Sequence, residues 1–308
     1  MESELKKKLE RIEKFLNIGK IVDGEKNSPR AIRAYYRING FAYRKFHSDR
    51  GFMHFRVSPN GKMEENDIFY QPDTVSGYIK PGAKVVELGP GQGANIFYLA
   101  KKHPDASFVG IDLRPPKLKK CAPSNVRLIR GNYEDMSEIE SGTADVVFGI
   151  ETVVHSSDKD GVFSEVARVL KPGGVFVLYD YATAKSFGEY LPYQQTAIEL
   201  ISKCGASAML ESDAMWDEHF SKAGLDKISK TDLADKTIPD LHRLALTARR
   251  VMDHDGRIRL VFGLMPRTLT NNILIGYIAE DSVKEHIFYY YEWIYEKRAA
   301  FCAAGKAQ

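Results

Sequence analysis

The chain holds 308 residues, 44% hydrophobic and 28% charged, with 44 lysines and arginines against 41 acids and a formal net charge of +3. That is enough apolar material for one or two ordinary cores, and too balanced a charge to steer a nucleic acid by field alone. The longest apolar runs, such as Gly174-Val175-Phe176-Val177-Leu178, fall well short of the roughly 18 to 20 residues a bilayer span needs, so no membrane span is expected. The opening stretch mixes both charges where a secretory signal needs an unbroken apolar block, which predicts a cytoplasmic protein. Cys121, Cys204 and Cys302 stand far apart with no Cys-x-x-Cys pair, so plain thiols are expected and neither a disulfide framework nor a metal site.

In chain order, Leu5, Leu9, Ile12, Phe15 and Leu16 recur at spacings of three and four, which predicts a helix over 5–18 ending at Gly19. Ser28-Pro29 reads as an N-cap and first-turn proline opening a second helix through Tyr35, Tyr36 and Phe41. Residues 46–70 have no clear period and read as ordered loop. From 84 the texture changes: 84–88 is a buried strand, followed by a glycine loop and a helix through Ile96, Leu99 and Ala100. Strands follow at 108–112, 126–129 and 145–150, then a helix over 159–170 and, after Lys171-Pro172-Gly173-Gly174, a strand at 175–179. Continuous apolar strands alternating with helices mean a parallel sheet covered on both faces. Beyond Tyr181 the pattern loosens into helices, with a sixth strand at 225–232 and a helix over 239–252. The aromatic run 286–295 fits a strand slightly better than a helix. The expected organisation is an N-terminal helical segment (1–79), an α/β core (80–182), a helical insertion (183–224) and the remaining strands with a C-terminal part (225–308).

The segment Glu87-Leu88-Gly89-Pro90-Gly91-Gln92-Gly93-Ala94 sits at a strand-to-helix turn, where glycines let the backbone bend sharply and approach a ligand. Gly89, Gly91 and Ala94 satisfy the dinucleotide pattern G-x-G-x-x-G/A, and Asp112 at the tip of the next strand suits a ribose diol. Glu87 with Gly89, Gly91 and Gly93 also reads as E-x-G-x-G-x-G, the loop of class I S-adenosylmethionine (SAM) methyltransferases. A pyrophosphate wants helix-terminus amides and no nearby anion; SAM carries an ammonium and a sulfonium, so Glu87 favours SAM. Asn132 and Tyr133 follow the third strand, where an adenine would lie, as edge and stacking partners or as simple turn residues. Leu113 and Ile150 complete the cofactor-binding set.

Over 80–180 the chain resembles the class I SAM methyltransferases, and shorter pieces resemble the sterol C-methyltransferase branch. Gly149-Ile150-Glu151-Thr152-Val153-Val154-His155 is similar to that branch's I-E-A-x-x-H segment, Tyr179-Asp180-Tyr181 to its Y-E-W, Tyr35-Tyr36 to its tyrosine pair, Phe52-Met53-His54-Phe55 to its F-H-F stretch and Asp232-Leu233-Ala234 to its D-L-A. Pro90, Asn132, Asp180 and Tyr181 depart from that branch. The resemblance implies an α/β, doubly wound, seven-stranded, mostly parallel sheet with helices covering the site. It also implies C-methylation of an isoprenoid such as a sterol, triterpene or prenyl compound, with S-adenosylhomocysteine as product. A methylated alkene becomes a carbocation, which asks for an aromatic, acid-lined pocket and a base. Glu151, His155 and Asp180 past the strand ends, covered by Tyr35, Tyr36 and His54, are the expected catalytic group. The insertion, with Tyr190, Tyr193, Met209 and Trp216, would supply apolar walls. An N- or O-methyltransferase of a polar metabolite, a NAD-type oxidoreductase and a non-catalytic SAM-fold protein stay as alternatives. No nucleic acid is expected as partner, and a homo-oligomer is left open.

Overall fold

In the computed structural model the described residues are 2–23, 48–116 and 122–298. The helix expected at 28–41, with Tyr35 and Tyr36, lies outside them, as do Cys121 and Cys302.

Among the described residues the sheet has seven strands: β1 (Lys84–Leu88), β2 (Ser107–Asp112), β3 (Val126–Arg130), β4 (Ala144–Ile150), β5 (Leu170–Thr183), β6 (Leu225–Asp232) and β7 (Phe288–Lys297). Their spatial order is β3-β2-β1-β4-β5-β7-β6. The first five pair in parallel. β7 runs antiparallel to both β5 and β6, so it alone is reversed. The order turns back at β1, between β2 and β4, and in such sheets the crevice at the strands' carboxyl ends is where ligands bind.

Apolar side chains cover both faces. One face packs Phe163, Phe176, Trp216, Phe220 and Trp293, with the two indoles stacked at 4.9 Å; the other packs Val85, Ile96, Leu99, Phe148, Tyr179 and Tyr290. A third cluster gathers the N-terminal stripe Leu5, Leu9 and Ile12 with helices past the insertion. The helices are α1 (Glu4–Phe15), α2 (Ile18–Val22), α3 (Tyr70–Ser76), α4 (Ala94–Lys102), α5 (Lys159–Val169), α6 (Pro192–Cys204), α7 (Asp213–Lys222), α8 (Ala234–Met252), α9 (Asp255–Leu264) and α10 (Arg267–Lys284).

Four boundaries depart from the sequence expectation. The first helix stops at Phe15, because the Asn17 side chain accepts from the Lys20 amide and starts α2, which runs on through Gly19. Within 46–70, Asp67 accepts from the Glu64 amide at 2.7 Å and opens a 3-10 turn, Glu65–Phe69, that leads into α3. β5 begins at Leu170, so the Lys-Pro-Gly-Gly turn is absorbed into the strand's span where the β4 register shifts. α8 begins at Ala234, ahead of Pro239, because Asp232 caps the Ala234 amide at 2.9 Å and the Leu233 amide is tied to the Tyr290 carbonyl at 2.7 Å. The aromatic run is the strand β7, as the slight preference had it.

Candidate active site at the carboxyl end of the sheet

Gly89, Gly91 and Gly93 have φ of 63°, 55° and 83°, left-handed values that other residues adopt only with strain. Space also demands glycine: a Cβ at Gly89 would lie 2.1 Å from Thr152 Oγ1, and one at Gly93 would lie 2.5 Å from the Phe97 ring. Asp112 holds this loop from the next strand. Its Oδ2 accepts from the Gly91 amide at 3.0 Å and its Oδ1 from the Arg114 amide at 2.6 Å, leaving each oxygen a lone pair for a further donor. Burial raises its carboxyl above the usual range, against those two amides. Leu113 sits half-buried in the bend beyond it, and Ile150, the last residue of β4, is buried.

Glu87 lies on β1 opposite Gly110 and Phe148 and is only 2% exposed. Burial pushes its carboxyl up to about 8, against hydrogen bonds from the Asn95 side chain and the Ile96 amide, with Asp112 adding to the rise. Its Oε2 has no hydrogen-bond partner. A buried carboxyl with an orphaned oxygen is costly, and its natural complement is a cation.

Beside the loop, past β4, Glu151 has φ of 51°, a strained position for a side chain this long. Its amide donates to the Tyr179 carbonyl at 2.7 Å, and its Oε1 accepts from the Phe55 amide at 2.8 Å. Burial pushes this carboxyl too up to about 8; the Phe55 amide and the Tyr181 and Tyr290 hydroxyls ease the rise, and Asp180 adds to it. The Tyr181 hydroxyl faces it without closing a well-formed hydrogen bond. Asp180 is fully buried; it accepts from the amides of Val154 at 2.9 Å and Tyr181 at 3.1 Å, and burial lifts it to about 7. Burial thus holds both acids well above the usual carboxylate range, and the Tyr181 and Tyr290 hydroxyls that reach toward Glu151 belong to an aromatic group in which Phe55 meets Tyr181 edge-on at 6.1 Å and Tyr181 meets Tyr290 at 5.1 Å.

The strap over residues 51–58 closes this end of the sheet. Gly51 lies against Gln92 and Met53 against Gly91. His54 Nε2 meets Asn95 Oδ1 at 3.1 Å, which links the strap to Glu87. The Phe55 carbonyl accepts from Gln71 at 2.7 Å, and Gln71 also donates to the Tyr290 hydroxyl at 3.2 Å. At the far end Arg56 donates to the fully buried Asp240 from its amide at 3.0 Å and its guanidinium at 3.2 Å.

Other expected residues have different surroundings. Tyr133 lays its ring against Gly89, about 3.8 Å from where a Cβ would stand, and its hydroxyl donates to the Thr152 carbonyl at 2.9 Å; burial raises that hydroxyl. Asn132 is held in its turn, accepting from the Glu134 amide at 3.2 Å and donating to the Glu134 carboxylate at 2.7 Å. His155 turns toward the insertion: Nδ1 donates to the Ala206 carbonyl at 3.0 Å, and burial lowers its pKa, which keeps the ring neutral. Asn95, Gln71, Thr152 and Tyr290 were not expected from the sequence, since each depends on a partner distant in the chain.

A family model described as a methyltransferase domain matches residues 86–178. The chain is 29% identical over 173 residues to a sterol 24-C-methyltransferase of Schizosaccharomyces pombe, covering 53% of this chain and 45% of that protein. The chain thus spans about half the length of the curated relatives it matches. Among solved structures, a cyclopropane synthase of Mycobacterium tuberculosis superposes with a TM-score of 0.67 at 14% identity, covering 86% of this chain and 96% of that one. A geranyl diphosphate C-methyltransferase of Streptomyces coelicolor gives 0.59 at 14% identity, covering 85% and 97%. At such identities the likeness to solved structures is one of fold. Residues 86–178 thus match a methyltransferase-domain model, the seven-stranded sheet is the Rossmann-like fold of the solved methyltransferases, and over about half its length the chain is similar to the sterol C-methyltransferases.

Proposed function

We propose that this chain transfers a methyl group from SAM to a carbon of an isoprenoid double bond, in a sterol, triterpene or prenyl compound, releasing S-adenosylhomocysteine. The observation that carries the reading is the buried pair Glu151 and Asp180, walled by Phe55, Tyr181 and Tyr290 beside the glycine loop. The loop suits SAM on physical grounds. The orphaned Glu87 oxygen is relieved by a cation, whereas a dinucleotide would bring a pyrophosphate toward it. Glu87, Gly89, Gly91, Gly93, Asp112, Leu113, Tyr133 and Ile150 would hold the molecule, with Asn132 shaping the adjoining turn. When bound, SAM supplies an electrophilic methyl group on sulfur.

The chain's own residues then have three tasks. The strap and the aromatic walls exclude water and align the acceptor. Positive charge developing on the acceptor carbon is met by the faces of Phe55, Tyr181 and Tyr290 and by the acids. Glu151, in the ionised form that it reaches near pH 8, takes the proton that the acceptor loses when its double bond re-forms. Asp180 and His155 brace that wall, and Tyr35 and Tyr36 belong to the same proposed group. The names of the relatives, sterol and geranyl diphosphate C-methyltransferases, support the acceptor class.

The test incubates the protein with methyl-labelled SAM and, separately, sterol, prenyl diphosphate and polar-metabolite pools, then partitions each between organic and aqueous layers. Label in the organic layer, or acid-stable label separated from SAM in the aqueous layer of the prenyl diphosphate reaction alone, supports the reading. Label confined to the polar-metabolite reaction refutes it in favour of N- or O-methylation.

A further inference from the structure

The surface around α9 carries apolar side chains that the fold does not bury. Ile258 is the one buried residue of this ten-residue helix, while Leu260 is 60% exposed, Leu264 78% and the following Met265 43%. Leu260 and Leu264 are one turn apart and share a face. Exposed leucines occur singly on any protein, but these have charged company of one sign. From Gly256 to Ala279 the sequence contains no acid and three arginines, Arg257, Arg259 and Arg267. Among the described residues none of these, nor Arg250, makes a salt bridge; Arg257 donates instead to the Arg250 carbonyl at 2.7 Å. The two acids at the start of the helix are already engaged, Asp253 with Arg249 at 3.3 Å and Asp255 with Arg11 at 2.9 Å.

We propose that α9 is a docking surface for an anionic phospholipid membrane. Leucine and methionine side chains enter the headgroup boundary while the arginines extend along them to the phosphates. Charge complementarity decides the occupant: an apolar patch accompanied by guanidiniums that no carboxylate neutralises fits a negative interface better than a second copy of itself, which would bring like charges together. At ten residues the helix is about 15 Å long, so it lies in the interface and does not cross it, and no described helix is long and apolar enough to cross. The apolar cluster containing Ile258 and Met252 extends to Phe55 and Tyr181 beside Glu151. Docking rests on the surface alone; its use, delivery of an apolar acceptor from the membrane toward the acid pocket, rests on the function proposed above.

The full chain is pelleted with vesicles of phosphatidylcholine alone and of phosphatidylcholine with phosphatidylserine, at low and high salt. The expected result is binding to the phosphatidylserine vesicles that weakens with salt, and at least about tenfold weaker binding for Leu260→Glu/Leu264→Glu and for Arg257→Gln/Arg259→Gln. The variants' thermal melts and elution volumes are compared with the parent's. Wild-type protein left in the supernatant with both vesicles overturns the proposal. So does equal binding to both vesicles, or a leucine variant that binds as the parent does. A leucine variant that splits a dimer, with no vesicle binding by the parent, assigns the surface to a second copy and overturns it as well. Vesicle binding without methyl transfer to any isoprenoid would leave docking intact and refute the acceptor reading.

Discussion

A Glu87→Gln substitution separates the cost of the buried carboxyl from its use. Glutamine preserves the shape and can still accept from the Ile96 amide, but it cannot ionise. In the folded protein the carboxyl titrates near 8, against an ordinary value of 4.5. Between those values the folded state binds more protons than the unfolded one, so Glu87 makes the parent lose stability as pH rises. From pH 5 to pH 8 the linkage has an upper limit of about 3.5 kcal/mol at 1.4 kcal/mol per pKa unit; relaxation and water penetration around a buried charge leave about 2 kcal/mol of it. Denaturant titrations of both proteins at pH 5 and pH 8 measure the difference. Relative to the parent, the variant should gain that amount of stability between the two pH values, and calorimetry should show its affinity for SAM reduced at least about tenfold, the scale of a lost charged hydrogen bond. Parallel stability curves would refute the account of Glu87 as a costly acid held for a cation, and unchanged affinity would remove it from the cofactor site.

Glu151→Gln should keep SAM affinity within about twofold and lose at least about a hundredfold in turnover, the lower end of what a positioned base contributes; full turnover would assign the proton to another group. Because burial raises both Glu87 and Glu151 to about 8, kcat/KM for SAM should climb as pH rises toward 8, and a flat profile from pH 6 to 9 would contradict it. Gly89→Ala combines left-handed strain with the Thr152 clash and should destabilise the protein by about 2 kcal/mol or more. Adding Thr152→Ala should recover part of that loss in denaturation, and no recovery would contradict the clash. Asp240→Asn removes the charge shared by Arg56 and Arg243 in a fully buried place. A loss of about 3 kcal/mol, with faster proteolysis at 51–58, is expected.

Strands β2, β4 and β5 were legible because each holds a continuous apolar run ended by glycine or an acid, a pattern that parallel strands buried on both faces impose; β1, broken by Glu87, and β3, broken by Arg127, were placed by their neighbours in the same alternation with helices. The glycine loop was legible for a related reason: its three residues answer local backbone demands. The strap was not, because nothing between Phe52 and Ser58 repeats. What fixes it are bonds to Asn95, Glu151 and Asp240, partners 41, 96 and 184 residues away. Tyr290 was hidden by an ambiguity of period, since its run fits a strand only slightly better than a helix, and the pairing with β5 decides. For Asn132 and His155 the sequence offered a position but not a partner: Asn132 bonds within its own turn and His155 to the Ala206 carbonyl of the insertion.

The placement of β7 sets an order of assembly. It is the last described strand, yet it lies between β5 and β6 and pairs with both. During synthesis the five strands β1–β5 can pair early, but β5 then presents an open edge to solvent and to other nascent chains, and β6 waits without a neighbour. The late strand also brings Tyr290 to the acid pocket, and its backbone carbonyl anchors the start of α8. A ribosome-bound chain that stops short of 288 would thus hold its glycine loop but lack both a continuous sheet and the tyrosine that walls the acid pocket.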